Sequence, residues 1–208
     1  MFKLKEGLHI LVAVIIFAFI ASFLASLQFF LLCLLFSFIA ISVNVIAKKI
    51  TAYYLDCYTE ESIWSWQQFG FRKHHRFNFP LPAGIIFPLL FSLASAGFLK
   101  FLALLQFDIT PATHRVAKRH GFYSWSELTE SHIAIVASAG IFFNLVLSTL
   151  AYLIGQDELA RLSIYFAFSN IIPISSLDGG KVLFGNKVLW TALAVLCTIA
   201  LLMTLVIR

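Results

Sequence analysis

The sequence predicts an all-α integral membrane protein with about five transmembrane helices and one re-entrant segment. Of its 208 residues, 61% are hydrophobic and 12% are charged, and the mean hydropathy is +0.92. Soluble domains are typically about 45–50% apolar and about 25% charged, so a single water-soluble core cannot bury this much apolar surface. Charge-free runs of 16 to 41 residues supply the spans. The composition excludes a soluble enzyme, a disordered chain and a disulfide-rich secreted module.

The first charge-free run covers residues 7–47 and is long enough for two spans. One span requires roughly 20 residues, because a helix rises about 1.5 Å per residue and the hydrocarbon core is about 30 Å thick. We expect helices at about residues 9–26 and 29–47, and the sequence predicts that Lys48 and Lys49 end the second one.

Three later runs predict the remaining helices. Residues 131–156 and 188–207 are clean spans, whereas residues 162–177 form a shorter run that stops at Asp178. The residues 124–127 read as a capping box, which favours a helix that starts there and continues into the next run.

The formal net charge of +5 is a modest basic excess. In a membrane protein such an excess marks cytoplasmic loops and does not indicate nucleic-acid binding. The expected arrangement is one polytopic domain, residues 1–208, with cytoplasmic loops at about 48–79 and 106–130.

The segment at about residues 80–105 is rich in proline and glycine, and the positions of Lys and Arg decide how it is interpreted. If it crosses once, giving six spans, nine basic residues lie on one side and six on the other. If it dips in and returns, giving five spans, thirteen lie on one side and two on the other. Basic residues of membrane proteins concentrate on the cytoplasmic side, so the sequence favours the re-entrant segment. The same rule predicts that the N-terminus of the chain is cytoplasmic, and the expected location is the cell membrane. A kinked sixth span is the alternative.

The segment from Asn170 to Gly180 contains a candidate site residue, Asp178. Pro173 lacks an N–H and clashes with the preceding turn, so a helix must kink or open there, and Asn170 can bond the freed backbone. Gly179 and Gly180 let the chain turn sharply or approach another backbone closely. Asp178 lies either below the membrane surface as a functional residue, or at the headgroups beyond a helix C-terminus.

Two further polar patterns occur inside predicted spans. Gly140 permits close helix contact and Asn144 can hydrogen-bond a neighbouring helix, a combination typical of a packing device. Asn44 and Lys48 are spaced i and i+4, so they share one face of their helix.

Together these three stretches resemble the site-2 protease family of intramembrane zinc metalloproteases. That family has an H-E-x-x-H helix, a G-P-x-x-N element and an N-x-x-P-x-x-x-L-D-G helix. The last motif is matched at every fixed position from Asn170 to Gly179, and the middle one at Gly140 and Asn144, with Ile141 where the family has proline. The resemblance covers about residues 29–185 and implies that residues 80–105 correspond to the family's re-entrant hairpin.

The ligand and catalytic positions depart from the family's pattern. The alignment places Asn44 and Lys48 at the two His positions and Val45 at the catalytic Glu position. In the family, two imidazoles and the Asp bind Zn²⁺, and the Glu is the general base for the metal-bound water. Asp178 is then the only retained ligand position, so no metal and no other cofactor is expected. The resemblance assigns supporting roles to Gly140, Asn144, Asn170, Pro173, Gly179 and Gly180.

Lys48 has two alternative placements. Its ammonium group can take the place of the metal and pair with Asp178, because a lone charge at membrane depth costs about 2.5–3.5 kcal/mol. Otherwise it extends to the headgroups beside Lys49 as a helix-end anchor.

The functional prediction is a catalytically inactive relative of the site-2 proteases that binds or regulates membrane-protein partners. Its expected partners are the lipid bilayer and transmembrane segments of other proteins, with no nucleic acid. The candidate interfaces are the aromatic loop at Trp64 and Trp66 and the segment at residues 82–97. An active zinc-dependent protease with a non-standard ligand set is the alternative, and a transporter component is a third hypothesis.

Overall fold

A computed structural model describes residues 4–23, 25–68, 76–98, 100–111, 128–174 and 176–206. This part of the chain is mostly helical, and four of its helices (α1, α2, α4 and α7) are long and apolar enough to cross a membrane. The helices are α1 Leu4–Ser22, α2 Leu27–Tyr54, α3 Ala83–Ala94, α4 Glu130–Leu153, α5 Asp157–Ile171, α6 Asp178–Gly185 and α7 Lys187–Val206. The strands are β1 Cys57–Ile63, β2 Trp66–Gln68, β3 Arg76–Leu81 and β4 Leu105–Pro111.

The second helix is longer than the sequence predicts. It begins after Ser26, whose side chain accepts a hydrogen bond from the Phe29 amide, and it continues to Tyr54. The prediction that Lys48 and Lys49 end it is wrong. Both ammonium groups find carboxylate partners inside the protein, so neither has to leave the helix to reach water.

Two small antiparallel sheets replace parts of the predicted loops. β1 pairs with β4, which places Cys57 opposite Pro111 and Glu61 opposite Phe107, while β2 pairs with β3. Alternate residues of β1, including Thr59 and Glu61, are buried. β1 and β4 pair across more than forty residues of chain, so their pairing leaves no local signal, and the sequence predicted a loop at each of them.

The proline-rich segment between β3 and β4 forms a hairpin. Its two ends meet at Trp64, whose amide donates to Leu104 O at 2.9 Å and whose carbonyl accepts from the Gly84 amide at 2.8 Å. A Cβ at Gly84 would lie 2.2 Å from Leu104 O, so only glycine permits this approach. At the far end, Gly97 has a φ of +83° and packs against Phe23, just beyond the end of α1. The segment therefore extends along α1 and returns to its starting point.

The fifth helix, α5, ends two residues before Pro173. Ile172 has extended backbone, with ψ at 127°, because the residue before a proline is pushed out of the helical region. The helix has 15 residues, fewer than the roughly 20 that a full span needs. After this break the short α6 begins at Asp178, and its second residue, Gly179, lies against the backbone of Ile171.

The helices pack through small side chains and a few aromatic rings. The core between α1, α2 and α5 contains Phe17 and Phe166, whose rings stack with centroids 5.4 Å apart. The hydroxyl of Ser37 on α2 donates to Val14 O on α1 at 3.2 Å. α4 begins after the N-cap Thr129, and the capping box at residues 124–127 lies outside the described residues.

Candidate functional site

The ammonium group of Lys48 is paired with Asp178. Lys48 Nζ lies 2.7 Å from Asp178 Oδ2, and both side chains are 1% exposed. Asp178 is the first residue of α6, and Lys48 is two turns before the end of α2. Of the two placements that the sequence leaves open, the structure has the buried pair and not the headgroup anchor.

A second carboxylate, Glu61 on β1, faces the same ammonium group. Its Oε1 lies 3.4 Å from Lys48 Nζ, and its side chain is fully buried. Burial raises the pKa of Glu61 to about 7, with Asp178 adding to the rise and Lys48 opposing it. The single ammonium group of Lys48 therefore partly neutralises two carboxylates, one on β1 and one on α6.

Phe107 and Lys181 complete the cluster. The Lys181 ammonium donates to Phe107 O and lies 3.8 Å from the centroid of the Phe107 ring. The same ring is 4.9 Å from Lys48 Nζ. Burial lowers the pKa of Lys181, while Asp178 opposes that shift. We call Lys48, Glu61, Asp178 and Lys181 the ionic cluster; its two cations and two anions balance when all are ionised.

Gly140 makes room for this arrangement on the facing helix, α4. A Cβ at Gly140 would lie 2.7 Å from Lys48 Cε and 2.8 Å from Asn44 Nδ2. The close helix contact expected of Gly140 is therefore with the lysine stem itself. A larger residue at Gly140 would force the Lys48 stem or the Asn44 side chain to shift.

Asn144 behaves differently from the prediction. Its Nδ2 donates to Gly140 O at 3.0 Å, so this hydrogen bond stays within α4 and does not reach a neighbouring helix. The bond to its own helix forms because the Gly140 carbonyl lies one turn earlier on the same face. Among the described residues, Asn144 Oδ1 and Asn44 Nδ2 have no hydrogen-bond partner, although both residues are buried.

A second ion pair connects α1 to the cluster. Lys49 Nζ lies 2.7 Å from Glu6 Oε1 and donates to Thr59 O at 3.1 Å. Glu6 Oε1 also accepts the backbone amide of Glu61 at 3.2 Å. Glu6 therefore positions the strand that carries Glu61.

The remaining residues implied by the resemblance lie on α2, at the end of α5, in the connection that follows it and at the start of α6. Val45 is buried in the core beside α1, and Asn170 is buried one residue before the end of α5. Pro173 is exposed in the connection to α6. A Cβ at Gly179 would lie 2.2 Å from Ile171 O, so this glycine serves the close backbone approach, and Gly180 is buried beside it.

Sequence reasoning missed Glu61, Lys181 and Phe107. Lys181 could have been found, because it lies three residues after Asp178 and shares its helix face. Glu61 follows Glu60 in a polar stretch, and only the pairing of β1 with β4 decides which of the two points inward.

The residues of the cluster do not fit a zinc ion. Zinc sites use neutral imidazole, thiolate or carboxylate ligands, usually four in structural sites and three plus water in catalytic ones. Here two carboxylates surround an ammonium group, which repels a cation and cannot ligate one while protonated. Within the described ranges, no group of three or more His, Cys, Asp or Glu is placed to hold a metal. His74, His75, His114 and His120 lie outside those ranges.

Comparison of the chain with family models, with curated proteins and with solved structures returns no match. The resemblance to the site-2 proteases therefore rests on the motifs of the sequence.

Proposed function

We propose that the chain is a catalytically inactive relative of the site-2 intramembrane metalloproteases that binds or regulates membrane-protein partners. One observation carries this proposal. Lys48 occupies the second His position of the motif, and its ammonium group contacts Asp178, the one retained ligand position. This contact supports the proposal that a cation attached to the protein takes the place of the family's metal.

The missing acid–base group supports the same conclusion. Val45 stands at the position of the catalytic Glu and is 2% exposed within an apolar core. Glu61 is the other carboxylate beside Asp178, and it is paired with Lys48. Hydrolysis needs a general base with access to water. Glu61 is a poor candidate for that base, because it is buried and forms an ion pair with Lys48.

The hairpin supports the five-span topology that accompanies this proposal. A segment whose ends meet at Trp64 returns to the side of the membrane from which it entered. The basic loops before and after the hairpin then lie on the same side. In this topology the protein lies in the cell membrane with its N-terminus in the cytoplasm, and α5 is its short fifth span.

The hairpin is also the favoured surface for a partner's transmembrane segment. Leu90, Leu93 and Phe98 are 54%, 63% and 91% exposed, so they present an apolar face. The aromatic loop is a poorer candidate than expected, because Trp64 is 1% exposed and stacks on Phe87 at 5.6 Å.

Restoring the family's residues tests the proposed ancestry. The triple variant N44H/V45E/K48H is expected to bind about one zinc per chain, measured by metal analysis of the purified protein, whereas the natural chain binds none. Adding Asp178→Asn to the triple variant is expected to abolish that binding. Near-stoichiometric zinc in the natural chain, lost on Asp178→Asn, would instead support the active protease.

Photo-crosslinking tests the partner surface. A crosslinkable residue at Phe98 is expected to capture a membrane protein through its transmembrane segment. The control is the same residue at Phe184, which is 77% exposed but lies on α6, away from the hairpin. Equal capture at both positions would contradict a specific docking surface on the hairpin.

A further inference from the structure

A cavity of about 810 Å³ lies between the second half of α4, the first half of α5 and the second half of α7. It begins where the close packing of α7 ends. Leu193 and Cys197 on α7 are buried against Ile141, and Trp190 Nε1 donates to Ile171 O at 3.0 Å. Four of the five residues of α7 that line the cavity follow Cys197, and the cavity shares no lining residue with the ionic cluster.

The lining is mainly apolar, with hydroxyl groups from Ser148, Thr149, Tyr152 and Thr204 and with charged side chains at one end. Among the described residues that line the cavity, the charged side chains are Asp157 and Arg161, which lie at i and i+4 on α5 and have opposite signs. Arg161 also approaches Glu158 at 3.6 Å, but those two side chains are 34% and 42% exposed. An exposed pair of this kind contributes little, so the guanidinium keeps most of its donors for a ligand.

The length of the cavity matches one leaflet of a bilayer. From Leu196 to Thr204, α7 rises about 12 Å, close to the roughly 15 Å that is half of a hydrocarbon core. The charged residues stand at the end next to the turn at residues 154–156, where α4 and α5 meet. An apolar leaflet-deep cavity with one charge of each sign at its mouth complements an amphiphile with a zwitterionic head.

We propose that this cavity binds one zwitterionic phospholipid of the phosphatidylethanolamine type. Its acyl chain lies along Leu196 and Met203, its phosphate accepts hydrogen bonds from Arg161, and its amine pairs with Asp157. A purely anionic lipid lacks the group that Asp157 requires, so the site discriminates between head groups.

Native mass spectrometry of the delipidated, purified chain in detergent tests this binding. Phosphatidylethanolamine is expected to bind as a single molecule, about tenfold more tightly than phosphatidylglycerol with the same acyl chains. Ala200→Trp places an indole inside the cavity and is expected to abolish the binding. Leu202→Trp, on the lipid-facing side of the same helix and outside the lining, is the matched control and is expected to retain it.

The variant Asp157→Asn separates head-group recognition from acyl-chain packing. Asp157 is exposed, so the variant is expected to fold, and the preference for phosphatidylethanolamine over phosphatidylglycerol is expected to disappear. Three results would overturn the proposal: equal affinity of the natural chain for both lipids, unchanged binding in Ala200→Trp, or a dimer of the chain that Ala200→Trp dissociates in the absence of lipid.

Discussion

The two ends of α4 meet opposite environments. At its first half, α4 closes over the ionic cluster, where Gly140 leaves no spare volume beside the stem of Lys48. At its second half, it borders a cavity of about 810 Å³ lined mainly by apolar side chains. One end of the helix is tightly packed around charges, and the other is loosely packed around an apolar space.

The comparison shows how the cost of burial shapes packing. A buried charge requires a partner at contact distance, so a small displacement at the ionic cluster is expensive. An apolar cavity facing a bilayer requires only that something apolar fill it, and lipid tails are always present. We therefore expect substitutions to be tolerated at the second half of α4, beside the cavity, and to be destabilising at its first half, beside the ionic cluster.

The largest difference between the two ends is expected for their charged residues. Lys48→Met leaves Asp178 and Glu61 buried without their cation and is expected to lower the free energy of unfolding by about 3–5 kcal/mol. Arg161→Met at the cavity, where the pair is exposed, is expected to cost less than about 1 kcal/mol. Unfolding in a denaturing detergent measures both, and equal losses would remove the contrast between the two ends.

A double-mutant cycle separates the Lys48–Asp178 contact from its surroundings. Asp178→Asn and Lys48→Met are expected to be less destabilising together than the sum of the two single variants, because each removes the other's uncompensated charge. Strict additivity in the same unfolding experiment would mean that the two groups do not interact.

The stability of the ionic end is expected to depend on pH through Glu61. Its pKa in the folded state, about 7, lies above the ordinary value of 4.5, because burial is the largest influence on it. Between these two pH values the folded chain keeps a proton that the unfolded chain has lost, so stability falls as pH rises, by at most about 1.4 kcal/mol per pH unit. Glu61→Gln is expected to remove this slope when unfolding is measured from pH 4.5 to 7; a slope that persists unchanged would show that another group titrates.

Glycine positions provide a comparison without charge. Gly140→Ala places a methyl group 2.7 Å from Lys48 Cε, and we expect a loss of about 1–3 kcal/mol in unfolding free energy from overpacking. Gly7→Ala on α1 is the control, because nothing lies within 4 Å of its Cβ position, and helix propensity then favours alanine by up to about 1 kcal/mol. A neutral Gly140→Ala would mean that Lys48 can move aside freely.

The smallest effect is expected at the cavity wall. Ser148 Oγ donates to Ala160 O at 3.0 Å and connects α4 to α5. Hydrogen bonds between membrane helices average about 0.6 kcal/mol, so Ser148→Ala is expected to cost about that amount in the same assay. A loss as large as that of Lys48→Met would show that the two ends of α4 are equally sensitive.

Local patterns predicted most of the helices but not the contacts between them. The charge-free runs located all four long apolar helices, within three residues at both ends of α4 and α7 and with shifts of four or five residues at α1, because hydropathy is a property of each segment by itself. Pro173 likewise predicted the break that ends α5. The end of α2 was placed wrongly, since the partners that keep Lys48 and Lys49 in the helix are remote in sequence.

The candidate site divides in the same way. Asn44, Val45, Lys48 and Asp178 were identified from motif spacing, and the Lys48–Asp178 contact was one of two open alternatives. Glu61 and Phe107 became visible only when β1 paired with β4, which brings them opposite each other. The arrangement of unlike charges depends on that pairing, and strand register has no signature in a polar stretch.

The sequence by itself determined that the chain has helices apolar enough to cross a membrane, that α5 ends before Pro173, and which polar residues lie within apolar segments. These are consequences of local composition and of backbone chemistry such as the missing N–H of proline. Only the tertiary structure decided that Lys48 turns inward, that Glu61 joins it, and that α7 leaves a cavity beside α5. Those outcomes depend on which surfaces meet, because a buried charge takes its partner from whatever chain segment packs against it.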